Sequence, residues 1–160
     1  MTDIKKLSPK AVADRETGII LAMADVAGLP EQVFNALITD EVETWWGLPE
    51  VYLIRDWKAD LRAGGTWTLN VLLPDGTALP ASGEFIELAK PHKIVITRRY
   101  DWDYPVLGRR DTRVTYLIDP IDSGTRLTVR HEGFIGCNQA AYDHTEGWER
   151  YLEWLGAYLN

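Results

Sequence analysis

Arg98 and His131 are the residues of this sequence whose types and positions best suit ligand or proton chemistry. Strand alternation places His131 on one face with Leu127 and Val129, and it places Arg98 on the otherwise apolar face of another strand. A buried guanidinium needs a partner, so Arg98 must meet a carboxylate, stack on an aromatic ring or pair with an anion at a cavity mouth. Two alternatives stay open. A bulge beside Arg98 would turn it outward, and His131 could be a core histidine bonded to a tyrosine or a carbonyl.

The remaining reactive groups do not form a recognisable catalytic or metal site. His144 lies four residues before Trp148 on an apolar stripe of the C-terminal segment, where it could meet His131. No HxxxH or HxH spacing accompanies the single cysteine, Cys137, and a lone loop thiol has no neighbouring base to activate it. We therefore expect no metal, no cofactor and no catalytic residue, and we favour a protein without enzymatic activity.

Aromatic residues that carry a polar atom are unusually common, with 7 Trp and 7 Tyr against 3 Phe. Such rings suit the wall of a cavity whose ligand is mostly apolar but must be oriented, whereas a dry core uses Phe, Leu and Ile more often. Alternatively, these rings are ordinary core side chains that pack on the face of the sheet. We predict a ligand-binding pocket lined by Trp46, Trp67, Leu69, Ile96, Arg98, Tyr100, Tyr116, His131, His144, Trp148 and Leu152.

Net charge and cysteine content exclude several partners and compartments. The chain carries 17 basic and 24 acidic residues, a net charge of -7, and such a field repels nucleic-acid phosphates and anionic lipid surfaces. The longest apolar run, residues 18–29, is much shorter than the roughly 20 residues of a membrane span. A single cysteine fits a reducing compartment. We expect a cytoplasmic protein that binds neither nucleic acid nor membranes.

Apolar and polar residues alternate with a period of two through most of the middle of the chain, and this pattern predicts an antiparallel sheet. The alternating segments are separated by hairpin-length turns, and a parallel sheet would need crossover helices between its strands. The predicted strands cover residues 17–26, 51–61, 65–74, 82–91, 93–102, 113–119 and 125–134. Two short helices are expected after the first of these strands. Residues 1–16 form a predicted N-terminal arm with one helical turn over 10–13, and residues 17–160 form a predicted single domain.

The last segment has helical periodicity and should form the element that the sheet covers. Its apolar stripe recurs at helical spacing and consists of Trp148, Leu152, Leu155 and Leu159. Gly147 and Gly156 interrupt it, which suggests close approach by another element. A sheet of six to seven strands can hide one face only by curving around this helix. The expected class is α+β, with a cavity between sheet and helix.

Six segments in one order carry a family resemblance: PEQVFNALITDEVETWWG, DLRAGGTWTL, SGEFIELAKPHKIVIT, VTYLID, GTRLTVRHEGF and GWERYLEWLGAYL. With them the chain resembles the SRPBCC superfamily (START-like, helix-grip), and within it the branch of the activator of Hsp90 ATPase homologues. The resemblance implies a curved antiparallel sheet that grips the C-terminal helix and encloses a pocket for hydrophobic or amphipathic small molecules.

Three functions are compatible with this resemblance. The first is binding of a small hydrophobic or amphipathic molecule, oriented by His131, Tyr116 and Arg98, without a defined catalytic activity. The second is an interaction module for an Hsp90-type chaperone ATPase. ATPase-stimulating relatives carry a further domain ahead of the matching segment, where this sequence has about sixteen residues. The third is a cyclase- or dehydratase-like enzyme that uses the same pocket. The edges of the sheet also permit a homodimer.

Overall fold

Residues 6–160, which the computed structural model describes, form one sheet of nine strands and three helices. The strands are β1 (Lys10–Asp14), β2 (Ile19–Val26), β3 (Gly47–Leu48), β4 (Tyr52–Ala59), β5 (Thr66–Leu72), β6 (Ala78–Ala89), β7 (Lys93–Tyr100), β8 (Thr112–Ile121) and β9 (Gly124–Glu132). The helices are α1 (Pro30–Ile38), α2 (Val42–Trp45) and α3 (Asn138–Leu159).

The sheet order is β1-β2-β9-β8-β7-β6-β5-β4-β3, and every neighbouring pair is antiparallel. This arrangement, with the long C-terminal helix, confirms the predicted α+β class and the helix-grip fold. The strand count is nine rather than six to seven. The two additional strands, β1 and β3, are five and two residues long and lie at the two edges of the sheet. Segments that short carry almost no alternation in the sequence.

Residues 10–14 form a strand, so the helical turn predicted for residues 10–13 is wrong. Strand β1 pairs with β2 in regular register, with Val12 opposite Leu21. The backbone N–H of Ala11 also donates to Glu149 Oε2 of α3 at 3.0 Å. An isolated helical turn fixes several dihedral angles for one hydrogen bond. A strand beside the edge of β2 instead forms several hydrogen bonds with the free N–H and C=O groups of that edge. Residues 1–5 of the predicted arm lie outside the described part of the chain.

Alternation in the central strands fixes which side chains face the core. In β9, Leu127, Val129 and His131 are each 0% exposed, while Arg130 between them faces solvent. The concave face that they form packs against α3, where Leu152 is also fully buried. The predicted apolar stripe of the helix is therefore the face that the sheet covers.

Helices α1 and α2 contact both α3 and the sheet, and they position the residue that follows them. Trp45 is buried in α2, and its indole N–H donates to the Ala36 carbonyl of α1 at 3.0 Å. The next residue, Trp46, ends α2, and its indole N–H donates to Tyr52 Oη of β4 at 3.2 Å. The two bonds hold the Trp46 ring between the helices and the first residues of β4.

Within residues 6–160, no helix has the length and apolar character that crossing a membrane would require.

Candidate ligand-binding cavity

A partly open cavity of about 250 Å³ lies between α3 and the sheet, on the side of strands β4 to β7. Its inner wall contains the buried side chains of Trp67, Arg98 and Trp148, and its outer wall contains partly exposed rings and leucines. Seven of the eleven predicted pocket residues line it, namely Trp46, Trp67, Leu69, Arg98, Tyr100, His144 and Trp148.

The other four predicted pocket residues do not reach the cavity. Ile96, Tyr116, His131 and Leu152 are all buried in the core, with exposed fractions of 7%, 2%, 0% and 0%. Strand and helix periodicity identified the correct inward face for each of them. They lie in the buried core outside this cavity, which extends toward β4, β5 and β6. Periodicity reports the direction of a side chain but not its depth.

The structure adds nine lining residues to the predicted set: Tyr52, Val71, Leu73, Leu79, Ala81, Trp102, Tyr104, Gly147 and Tyr151. Some of them carry a signal in the sequence. Val71 shares the face of Trp67 and Leu69 in β5, and Gly147 lies three residues after His144 on the helix. Trp102 ends the predicted strand 93–102 on the parity of Arg98 and Tyr100, whereas the structure places it with Tyr104 in the loop after β7.

Arg98 is a buried cation held against two indole rings. Its guanidinium carbon lies 5.5 Å from the centroid of Trp46 and 5.0 Å from that of Trp148, within cation–π range, and the residue is only 8% exposed. The register of β7 with β8 is continuous from Lys93 to Arg98, so no bulge turns the side chain outward. Its Nε has no hydrogen-bond partner. Of the options left open for Arg98, stacking on aromatic rings is the one that the protein itself uses.

Tyrosine hydroxyls surround this cation and keep it charged. Burial is the largest single influence and disfavours the charged form, but Tyr116, Tyr100, Tyr151 and Tyr52 together outweigh it and raise the pKa of Arg98 above its ordinary value. Tyr116 Oη lies 3.2 Å from Tyr151 Oη. Burial also raises the pKa of Tyr151 well above its ordinary value, so this hydroxyl stays neutral. The inner wall therefore presents one positive charge among neutral hydroxyls.

His131 is the centre of a directional chain of hydrogen bonds behind the cavity. The indole N–H of Trp148 donates to His131 Nδ1 at 3.1 Å, so the imidazole hydrogen must be on Nε2. That nitrogen lies 2.7 Å from Thr112 Oγ1, and the Thr112 hydroxyl donates to the Arg98 carbonyl at 2.9 Å. Burial holds the pKa of His131 well below its ordinary value, as this neutral tautomer requires. His131 therefore positions Trp148 and the Arg98 backbone and does not touch the cavity.

His144 forms a second neutral pair, this time with a residue of the cavity wall. Its Nδ1 lies 2.7 Å from the Ala140 carbonyl, which can only accept, so Nδ1 carries the hydrogen. Nε2 then accepts from the Tyr100 hydroxyl at 2.7 Å. Burial lowers the pKa of His144 to about 4, and the imidazole is neutral at pH 7. The Tyr100 oxygen consequently offers the cavity only its acceptor lone pairs.

The packing of Trp67 depends on a glycine in the neighbouring strand. Trp67 of β5 pairs with Gly83 of β6, and its indole N–H reaches across to the Thr97 carbonyl of β7 at 3.2 Å. A Cβ at Gly83 would collide with the Thr97 carbonyl and approach the Trp67 Nε1 to 2.7 Å. The absence of a side chain at Gly83 thus leaves room for the Trp67 indole to reach the Thr97 carbonyl.

The glycines of α3 are not explained by close approach, so that interpretation of the sequence is wrong. A Cβ at Gly147 would meet no atom within 4 Å, and one at Gly156 would make only an ordinary 3.8 Å contact with Val26. Gly147 faces the cavity, where it leaves open space.

Replacing Gly147 with alanine is expected to stabilise the protein. The added methyl group enters open space, and alanine favours a helix over glycine by about 1 kcal/mol. Urea denaturation should show the free energy of unfolding rise by about that amount. Gly83→Ala is the opposing control and should destabilise the protein because of its contact with Thr97. No gain from Gly147→Ala would mean that another element occupies the space beside this glycine.

Comparison with known families agrees with this geometry. The model of the family described as activator of Hsp90 ATPase homolog 1-like protein matches residues 29–160. The chain belongs to this family. The match includes both short helices, strands β3 to β9 and α3, and it confirms the resemblance drawn from the six sequence segments. No curated protein matches the chain.

Solved structures share the fold of this family member over most of its length. A protein from Chromobacterium violaceum is 24% identical, with a TM-score of 0.77 over 88% of this chain and 96% of the other. A Rhodobacter sphaeroides protein is 19% identical, with a TM-score of 0.79 over 95% and 98%. The AHSA1 protein of Silicibacter pomeroyi is 24% identical, with a TM-score of 0.71 over 88% and 96%. At these identities the likeness establishes the fold, and function must be argued from the cavity.

Proposed function

We propose that this protein binds a small amphipathic molecule in the cavity between α3 and strands β4 to β7. The observation that carries the proposal is the composition of the wall. Rings and aliphatic side chains form most of it, and the polar groups are few: the guanidinium of Arg98, the imidazole of His144, the tyrosine hydroxyls and the indole N–H groups. Small-molecule sites typically combine an apolar wall with a few placed polar groups. We assign no reaction to the site.

The size of the cavity limits the ligand. An engineered apolar cavity of roughly 150 Å³ accommodates benzene, so about 250 Å³ fits a molecule of one or two rings with a polar substituent. Each Å² of apolar surface that such a ligand hides contributes roughly 25 cal/mol, against the cost of immobilising it. Burial of a few hundred Å² then gives dissociation constants of roughly 100 μM or tighter.

A neutral probe tests this proposal without assuming any charge on the ligand. We expect 2-naphthamide to quench the tryptophan fluorescence of the protein saturably, because Trp46, Trp67 and Trp148 line the cavity. Gly147→Leu should weaken binding at least about tenfold by filling the cavity, since leucine is a good helix former and the backbone needs no change.

Gly147→Ala is the matched control for this experiment. It makes the same gain in helix propensity but adds only a methyl group, so binding should stay close to that of the wild type. Equal binding by the wild type and Gly147→Leu would place the probe outside the cavity. Absence of saturable binding to the folded wild-type protein would contradict the proposed function.

The family description supports a second candidate, contact with an Hsp90-type ATPase. In that case the outer surface rather than the cavity would act, and the rate of ATP hydrolysis by the partner would change in the presence of this protein. The variant Gly147→Leu separates the two candidates, because it alters the cavity and leaves the outer surface intact. For either function we propose a cytoplasmic protein, based on its single buried cysteine, and a homodimer through the sheet edges as its assembly.

A further inference from the structure

We propose that the ligand of this cavity carries a carboxylate, and that the guanidinium of Arg98 binds it. This inference rests on the proposed small-molecule function and names the chemical class of the ligand. The carboxylate would lie at the inner end of the cavity, against the guanidinium of Arg98. The apolar body of the ligand would lie along Leu69, Val71 and Leu79 toward the solvent-facing wall.

Among residues 6–160, the positive charge of Arg98 has no carboxylate counterpart. None of the sixteen lining residues is Asp or Glu. In the described part of the chain, no ion pair involves Arg98, although eight others occur at the surface or part-buried. Buried charges in proteins are ordinarily paired, because removing an ion from water costs several kcal/mol. An anionic ligand would supply the missing partner.

The surroundings of Arg98 hold the guanidinium in place before a ligand arrives. Trp46 and Trp148 both lie within cation–π distance of it. Trp148 is itself fixed by its hydrogen bond to His131, and Trp46 by its bond to Tyr52. A guanidinium held in this way loses little conformational entropy when it binds a carboxylate, and its planar fork matches the two carboxylate oxygens.

Other polar head groups fit the wall less well. The guanidinium of Arg98 can only donate hydrogen bonds, so the ligand must present an acceptor to it. A cationic group would be repelled by the same charge. A neutral acceptor such as an amide would satisfy the hydrogen bond without neutralising the buried cation. Hydrogen bonds between two ionised groups are stronger than those with one neutral partner, which favours the carboxylate.

A matched pair of probes tests the charge of the ligand directly. We expect isothermal titration of the full chain at pH 7 to show 2-naphthoate binding at least about tenfold more tightly than 2-naphthamide, which has the same rings. Arg98→Met keeps a long apolar side chain and should remove this preference. Arg99→Met is the matched control, since Arg99 is the exposed neighbour of Arg98 and should leave both affinities unchanged. Circular dichroism establishes that each variant is folded.

The outcomes separate this inference from the proposed function. If the amide binds as tightly as the acid to the wild type, the cavity binds small molecules but the carboxylate assignment is wrong. The same conclusion follows if folded Arg98→Met retains the preference for the acid. If neither probe binds the wild type, the proposed function fails and the inference fails with it. The comparison of the two probes on the wild type is decisive even if Arg98→Met does not fold.

Discussion

Replacing His131 with alanine is expected to lower the free energy of unfolding by roughly 3–5 kcal/mol, the largest effect of any single change discussed. The side chain is 0% exposed, and its loss leaves a cavity in the core. It also leaves the Trp148 indole N–H without its acceptor, and an unsatisfied buried donor costs about 1–3 kcal/mol. Chemical denaturation monitored by circular dichroism measures the loss.

Two comparisons show whether this loss comes from the hydrogen-bond chain. His92 is an exposed histidine, and His92→Ala should change the stability by less than about 0.5 kcal/mol. In a double-mutant cycle, Trp148→Phe should cost less in the His131→Ala background than in the wild type, because the bond between the two rings is already gone. Additive effects of the two substitutions would mean that the Trp148–His131 bond contributes nothing to stability.

Acidification from pH 7.5 to 5.5 is expected to lower the stability by about 2–3 kcal/mol. His131 and His144 are neutral in the folded protein because burial lowers both pKa values, that of His144 to about 4. In the unfolded chain they bind protons near pH 6.5. The unfolded state therefore holds more protons below pH 6.5, and stability falls as the pH falls, by up to about 1.4 kcal/mol per pH unit for each histidine. Above pH 7 this contribution is fully present.

Histidine variants assign the acid sensitivity to the buried rings. His144→Gln should remove about half of the pH dependence between pH 6.5 and 4.5, because one of the two proton-binding groups is gone. Its side-chain oxygen can still accept from Tyr100. His92→Gln should leave the profile unchanged. Urea denaturation at a series of pH values provides the measurement, and a stability that stays flat between pH 7 and 5 would contradict the assignment.

Inward direction was predictable from the sequence for the proposed pocket residues on strands and on α3, because strand and helix periods depend only on local geometry. Trp67 and Arg98 follow the parity of their strands into the cavity, and His144 and Trp148 follow the stripe of α3. The same rule selected His131 and Tyr116, which are buried outside the cavity. Whether an inward side chain meets a neighbour or open space depends on several elements at once, and no single segment encodes it.

The hydrogen-bond partners of the buried side chains could likewise not be predicted from the sequence. The chain from Trp148 through His131 and Thr112 to the Arg98 carbonyl joins α3, β9, β8 and β7. Its members are far apart in the chain, and hydrogen bonds of this kind depend on a register that only the assembled sheet defines. The open space beside Gly147 could not be predicted either. The sequence of a helix is the same whether its glycine packs against another element or lies beside empty space.

Local periodicity, turn chemistry and composition thus determined the antiparallel sheet, the terminal helix and the aromatic character of the inner face, because each is a property of consecutive residues. The tertiary structure alone decided where the cavity lies and that Arg98, which lines it, has no carboxylate neighbour among the lining residues. Both depend on how the curvature of the sheet spaces β4 to β7 from α3. That distance is set by all the packed side chains together rather than by any one of them.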